Sequence, residues 1–166
     1  LTQLNNLNAE NFQYATMMVG INDMVNWQSS HAEELNAKGF RTQYRSQLRA
    51  CIAQINAKNT VEALFLVVPY NTSAYKMDDG TYWPASGGEG YYRARTLHDI
   101  IIQEIVSAGE DYEYVHVCRM DAYIPNIPSL ITDGIHPTVA HGRDLMAKGM
   151  RDEITFLIKP ASEASE

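Results

Sequence analysis

The sequence predicts an α/β fold built on a parallel sheet, and three observations carry that prediction. A short, uncharged, mostly apolar run, Tyr14-Ala15-Thr16-Met17-Met18-Val19, is followed by an amphipathic segment and then by a near-continuous apolar run from Val61 to Pro69. Runs of this kind, without polar alternation, suit strands covered on both faces. A second helical periodicity and a third strand-like run, Tyr112 to Met120, repeat the alternation. Strand and helix patterns that alternate imply parallel pairing.

The elements follow in order. Residues Leu1 to Gln13 are polar, with leucines at 1, 4 and 7 spaced to suit one end of a helix. The first strand ends at Gly20-Ile21-Asn22-Asp23, at the sheet edge where open α/β sheets bind ligands, although Asn and Asp also serve plain strand-to-loop turns. Met24 to Gly39 reads as polar and irregular, and His31 within it as a solvated loop histidine rather than a catalytic one. Phe40, Tyr44, Leu48, Cys51, Ile52 and Ile55 recur at helical spacing and predict a helix over about 40–57.

Asn71 to Gly90 lacks periodicity and carries Tyr75, Tyr82, Trp83, Pro84 and Ser86-Gly87-Gly88. A loop of this length in a compact domain is often functional. Its aromatics suit either a platform for a sugar or acyl group or a pad that packs the loop onto the domain. Leu97, Ile100, Ile101, Ile105 and Ala108 predict a helix over about 91–108, with Gly109 as its terminator. His116, inside the third strand, reads as a sheet-face histidine rather than a ligand. Val139, Gly142, Met146, Met150, Ile154 and Leu157 define a closing helix with Thr138 as its N-cap. Residues 1–158 read as one domain without internal repeat, and 159–166 as a polar tail.

Composition bounds the partners. The 166 residues are one domain's length, and 45% hydrophobic with 20% charged residues marks an ordinary globular chain. A net charge of −7 argues against a phosphate-binding surface, so nucleic acid is not an expected partner. No apolar run reaches the roughly 18 residues of a membrane span. Cys51 and Cys118 read as two buried thiols rather than a disulfide, and neither stands at metal-ligand spacing to a histidine. Neither a metal nor another cofactor is expected. The chain opens on Leu1 without a signal segment and reads as a processed or truncated product.

Chemistry concentrates in Asp133-Gly134-Ile135-His136-Pro137. Pro137 biases His136 away from helix, and Gly134 lets the turn close tightly. An acid three residues before a base in one turn can hold the imidazole in a single tautomer. That is the base-and-orienter half of a hydrolytic triad, without a nucleophile.

Taken together, Gly20-Ile21-Asn22-Asp23 after an apolar strand and Asp133-Gly134-Ile135-His136 before the last helix resemble the Gly-x-Asn-Asp and Asp-x-x-His blocks of the SGNH, or GDSL-type, hydrolases. The resemblance runs from about Tyr14 to Leu157. It implies a flavodoxin-like three-layer α/β/α fold and hydrolysis of ester, thioester or related acyl bonds through a serine. By the same resemblance His136 is the general base, Asp133 its orienting acid, Asn22 an oxyanion-hole donor, and Gly20 the glycine that lets the backbone approach the substrate.

One block departs from the pattern. The family's nucleophile lies in a Gly-Asp-Ser motif after the first strand, and only thirteen residues precede Tyr14, with neither glycine nor serine among them. The chain is thus expected to supply about three of five strands, and to be the C-terminal part of a hydrolase whose N-terminal segment is cleaved, supplied as a separate chain or absent. Without that segment, bare strand edges are expected. Ser86 is the only internal serine in a glycine-flanked loop at the correct edge, and it lacks the strand–serine–helix geometry of an exposed nucleophile. The expected activity is hydrolysis of a small acyl ester, such as an acetyl group on a carbohydrate, with Tyr75, Tyr82 and Trp83 as the substrate loop. The alternative is a non-catalytic module on the same fold that binds a glycan or a protein.

Overall fold

The computed structural model describes residues 12–31, 33–58, 60–70, 88–125, 129–131 and 136–158. Among them the order is β1 (Tyr14–Met17), α1 (Ile21–Ser30), α2 (Ala37–Asn56), β2 (Ala63–Val67), α3 (Gly88–Asp111), β3 (Val115–Cys118), α4 (Met120–Tyr123) and α5 (Gly142–Ile158). The three strands form one parallel sheet in the order β1-β2-β3, with Tyr14 opposite Ala63 and Leu64 opposite Val115.

Every residue of β2 is buried, as its unbroken apolar sequence requires. Leu64, Leu66 and Val68 face one core with Phe40, Leu48 and Ile52 of α2 and Leu97, Ile101 and Ile105 of α3. Ala63, Phe65 and Val67 face the other, with Cys118, Met120, Ile124 and the half-buried Met146, Met150 and Ile154 of α5. The arrangement is three-layered, α/β/α. Burying each large apolar side chain contributes about 1.5–3 kcal/mol. On its side away from β2, β1 pairs with nothing among the described residues, and Tyr14 is 53% exposed.

The stretch read as irregular after Asp23 is helical: α1 runs to Ser30. Its sequence is poor in strong helix formers, and its stability comes from tertiary contact through Met24, which is fully buried in the first core. Helix α2 keeps the expected stripe, Phe40, Tyr44, Leu48, Ile52 and Ile55, all buried. Asn36 starts it from a left-handed conformation (φ 44°), its side chain accepting the Gly39 N–H at 3.1 Å.

Gly109 does not end α3. The helix runs on to Asp111, and a Cβ at Gly109 would sit 2.5 Å from Val117 Cγ2, so the glycine serves close helix–strand packing. Its start at Gly88 also takes the last residues of the expected loop into the helix. Val139 lies before α5 and is exposed, not part of its buried face. Both cysteines are free thiols, and burial pushes Cys118 up to about 11.

Two buried polar groups hold α3. The Glu104 side chain is 2% exposed and takes a hydrogen bond from Arg41 Nη1 at 2.9 Å and a bidentate pair from Arg45 Nε at 2.6 Å and Nη2 at 2.9 Å. Burial pushes its pKa up, and the bonds and charges of Arg45 and Arg41 more than reverse this, leaving the carboxyl below its ordinary value. His98, also 2% exposed, donates Nε2–H to the Pro69 carbonyl at 2.9 Å, and burial holds its imidazole below its ordinary value against the pull of that carbonyl.

Acid should therefore weaken the fold in two stages. Below about 6.5 the unfolded chain takes a proton at His98 that the native chain resists, so stability falls with pH. Below about 4.3 the unfolded chain likewise protonates Glu104 first, and that contribution is lost as pH falls through the folded value. Thermal midpoints followed by circular dichroism should show both declines, and His98→Gln should remove only the first.

Candidate active site

At the C-terminal edge of the sheet, β1 passes through Met18, Val19 and Gly20 into α1. Gly20 has φ +123°, in the region that favours glycine, and a Cβ there would lie 2.9 Å from Ile101 Cδ1. The turn is pinned on both sides. The Tyr44 hydroxyl donates to the Val19 carbonyl at 3.2 Å, and the Gly20 carbonyl accepts the Met24 N–H at 2.9 Å. Burial raises the Tyr44 pKa, so that hydroxyl keeps its proton.

Asn22 is the second residue of α1 and is exposed. Helix geometry leaves the N–H groups of Ile21, Asn22 and Asp23 without acceptors inside the helix, at its partially positive end. This suits an oxygen that gains negative charge.

His136 comes from the opposite end of the sequence. Pro137 forms an antiparallel bridge with Ile131, the Thr138 N–H donates to the Leu130 carbonyl at 2.7 Å, and the Thr138 hydroxyl donates to the Ser129 carbonyl at 2.9 Å. That hydroxyl also accepts the Gly142 N–H at 2.9 Å, yet α5 begins only at Gly142, so Thr138 holds the helix's first N–H from four residues upstream and is not the N-cap the sequence suggests. A Cβ at Gly142 would stand 2.3 Å from the Leu130 carbonyl oxygen and 2.9 Å from Pro137 Cβ. The first residue of α5 thus lies directly on the segment that presents His136, and only glycine fits there.

The two ends meet. Gly20, Asn22 and His136 line one cleft of about 380 Å³, with Met18, Val19, Ile21 and Asp23 beside them and Pro69 and Tyr70 from beyond β2. Asp133 and the loop residues Tyr75, Tyr82, Trp83 and Ser86 lie outside the described residues. Pro69 and Tyr70 were not anticipated as lining residues, although their place just past the C-terminal end of a buried strand was signal enough. His98 fixes this wall through the Pro69 carbonyl.

The other histidines differ. His116 is half-buried in β3 and stacks on Phe65 with ring centroids 5.5 Å apart, a sheet-face residue as expected. His31 is not a solvated loop residue. It ends α1, half-buried, stacked on Trp27 at 3.9 Å, with Nδ1 3.0 Å from both the Trp27 carbonyl and Ser30 Oγ. No helix among the described residues is long and apolar enough to cross a membrane.

No protein-family profile and no curated protein sequence matches the chain. Solved structures do. A variant of Axe2, an acetyl xylan esterase from Geobacillus stearothermophilus, matches with a TM-score of 0.56 at 18% identity over 94% of this chain and 66% of its own. A second Axe2 variant, described as an acetyl-xylooligosaccharide esterase, gives 0.55 at 17% over 92% and 64%. LAE5, an α/β hydrolase from the metagenome of Lake Arreo, Spain, gives 0.56 at 20% over 95% and 66%. The chain thus spans just under two-thirds of the length of these enzymes. Its three parallel strands and five helices, counted among the described residues, match part of the α/β fold of these solved structures.

Proposed function

We propose that the chain is the part of an SGNH-type serine esterase that carries the general base, its orienting acid and an oxyanion donor. The observation that carries this reading is the shared cleft: His136 and Asn22 line it together although 114 positions separate them (136 − 22). The Axe2 catalytic mutants support it. They replace a serine near the start of that chain, an aspartate and a histidine, with the aspartate three positions before the histidine. Asp133 stands in the same relation to His136, and three residues of chain keep the two within about 10 Å.

The chemistry is acyl transfer in two halves. His136 takes the serine proton as the serine oxygen bonds the ester carbonyl carbon. The carbonyl oxygen becomes an oxyanion, which the Asn22 amide and the N-terminal end of α1 stabilise. Collapse expels the alcohol, which leaves with the proton held on His136. Water then attacks the acyl-enzyme, gives its proton to His136, and the second collapse releases the acid as the serine recovers that proton. Asp133 holds the imidazole in the productive tautomer and stabilises its cation. Gly20 carries the backbone past the reacting carbonyl.

The serine comes from outside this chain, on an N-terminal segment that packs beside β1. The unpaired side of β1 among the described residues and the two-thirds span of the matched structures support this partner. The substrate is a small acyl ester, with acetylated carbohydrate favoured by the likeness to Axe2, an acetyl-xylooligosaccharide esterase, and by Tyr75, Tyr82 and Trp83 as a platform.

Fluorophosphonate labelling of the purified protein, with the intact mass of every chain, tests the reading. Label is expected on a serine of a co-purifying N-terminal piece. No label, and a single species at this chain's mass, would instead favour a non-catalytic glycan- or protein-binding module.

A further inference from the structure

A second cavity, of about 300 Å³, opens between α1 and α2 and shares Asp23 with the cleft just described. Phe40 and Tyr44 form a buried aromatic floor, their rings stacked at 5.8 Å, and Phe40 stands edge-on to Trp27 at 5.7 Å. Asn26, Gln43 and Gln47 are exposed and carry the rim. Among the described lining residues there is no lysine or arginine.

This chemistry selects a ligand class. Anionic ligands find no lysine or arginine in this lining, and Asp23 disfavours them. Each rim amide both donates and accepts hydrogen bonds, as each hydroxyl of a polyol does. Above that floor the half-buried rings of Trp27 and His31, which also line the cavity, complement the C–H face of a pyranose. A neutral ligand with apolar faces and hydroxylated edges, a saccharide, satisfies both surfaces.

The cavity is also built in advance. Trp27 Nε1–H donates to the Leu35 carbonyl at 2.8 Å, His31 stacks on the indole, and the Arg93 guanidinium donates to the His31 carbonyl. Preformed walls reduce the ordering cost of binding. Position completes the case. Asn26 lies one turn beyond Asn22 on α1, about 6 Å along the axis. Tyr44 belongs to the floor of this cavity while its hydroxyl holds Val19 in the wall of the cleft.

We infer that the groove between α1 and α2 is a saccharide subsite, holding the sugar next to the one whose ester enters the His136 cleft. The inference rests on the esterase reading for what occupies that cleft. It is tested in the complete protein with the double variant Gln43→Ala/Gln47→Ala, which alters two exposed residues outside the catalytic cleft.

For an acetylated xylo-oligosaccharide, KM should rise about tenfold, the loss of two ordinary hydrogen bonds, with kcat little changed. For 4-nitrophenyl acetate, which has no sugar, kcat/KM should stay as it was. An equal effect on both esters, or no effect on either, overturns the subsite. Calorimetric titration with unacetylated xylotetraose separates this from the esterase reading. Binding weakened by the double variant, in a protein that turns over no ester, supports the subsite and overturns the esterase. Absence of binding to the unaltered protein, or binding the variant leaves undiminished, overturns the subsite.

Discussion

With His136 as the proposed general base, His136→Ala in the complete protein should lower kcat/KM for a small acetyl ester by about 10⁴-fold or more, the scale on which serine hydrolases lose turnover when their base is removed. The serine keeps its proton without an acceptor, and the leaving alcohol finds no donor. Asp133→Ala should cost a similar order if Asp133 is the group that fixes the imidazole's tautomer, as proposed. The fold should hold. His136 is exposed, and Pro137 and Thr138 secure its segment through the bridge to Ile131 and the bond to Leu130. Steady-state kinetics beside circular dichroism melts check both halves, and wild-type turnover in a folded His136→Ala protein would rule the base assignment out.

Asn22→Ala carries the second large effect, about 10²- to 10³-fold in kcat with little change in KM, since the oxyanion exists only after attack. Asn22→Asp sharpens the test. It keeps the size of the side chain but replaces a donor with a second negative charge beside the oxyanion. In the first turn of α1 an aspartate also favours the helix through its dipole. Turnover should fall at least as far as with alanine while the thermal midpoint is kept or raised. A variant that loses stability and activity together would mark Asn22 as a residue of the fold.

How much of this was legible depended on whether the information was local. The Val61–Pro69 run announces a doubly covered strand because each apolar residue argues independently, and β2 is buried throughout. The α2 stripe is equally local. Helix α1 was not, because its polar, turn-prone residues are kept helical by where Met24 docks, which only the assembled core supplies. Gly109 misled for the same reason: a glycine near a helix end is ambiguous until Val117 is seen against it. Gly20, Asn22 and His136 were readable as motifs, and their meeting in one cleft was inferable from strand edges. The Gly142 contact with Leu130 and the groove under Gln43 and Gln47 were not, since each is made by elements distant in sequence.

Strand β1 has two duties that meet at its C-terminal end. One side pairs with β2, its other side pairs with nothing among the described residues, and it runs directly into the turn that carries Gly20 and Asn22. A parallel strand added on the open side would lie about 4.8 Å away and deliver its own end beside that turn. Completing the sheet and arming the site then become a single equilibrium. A hydrolase divided at this seam would be a complementation pair, and its ester turnover, titrated against the added piece, would trace a binding isotherm whose midpoint is the Kd of the sheet.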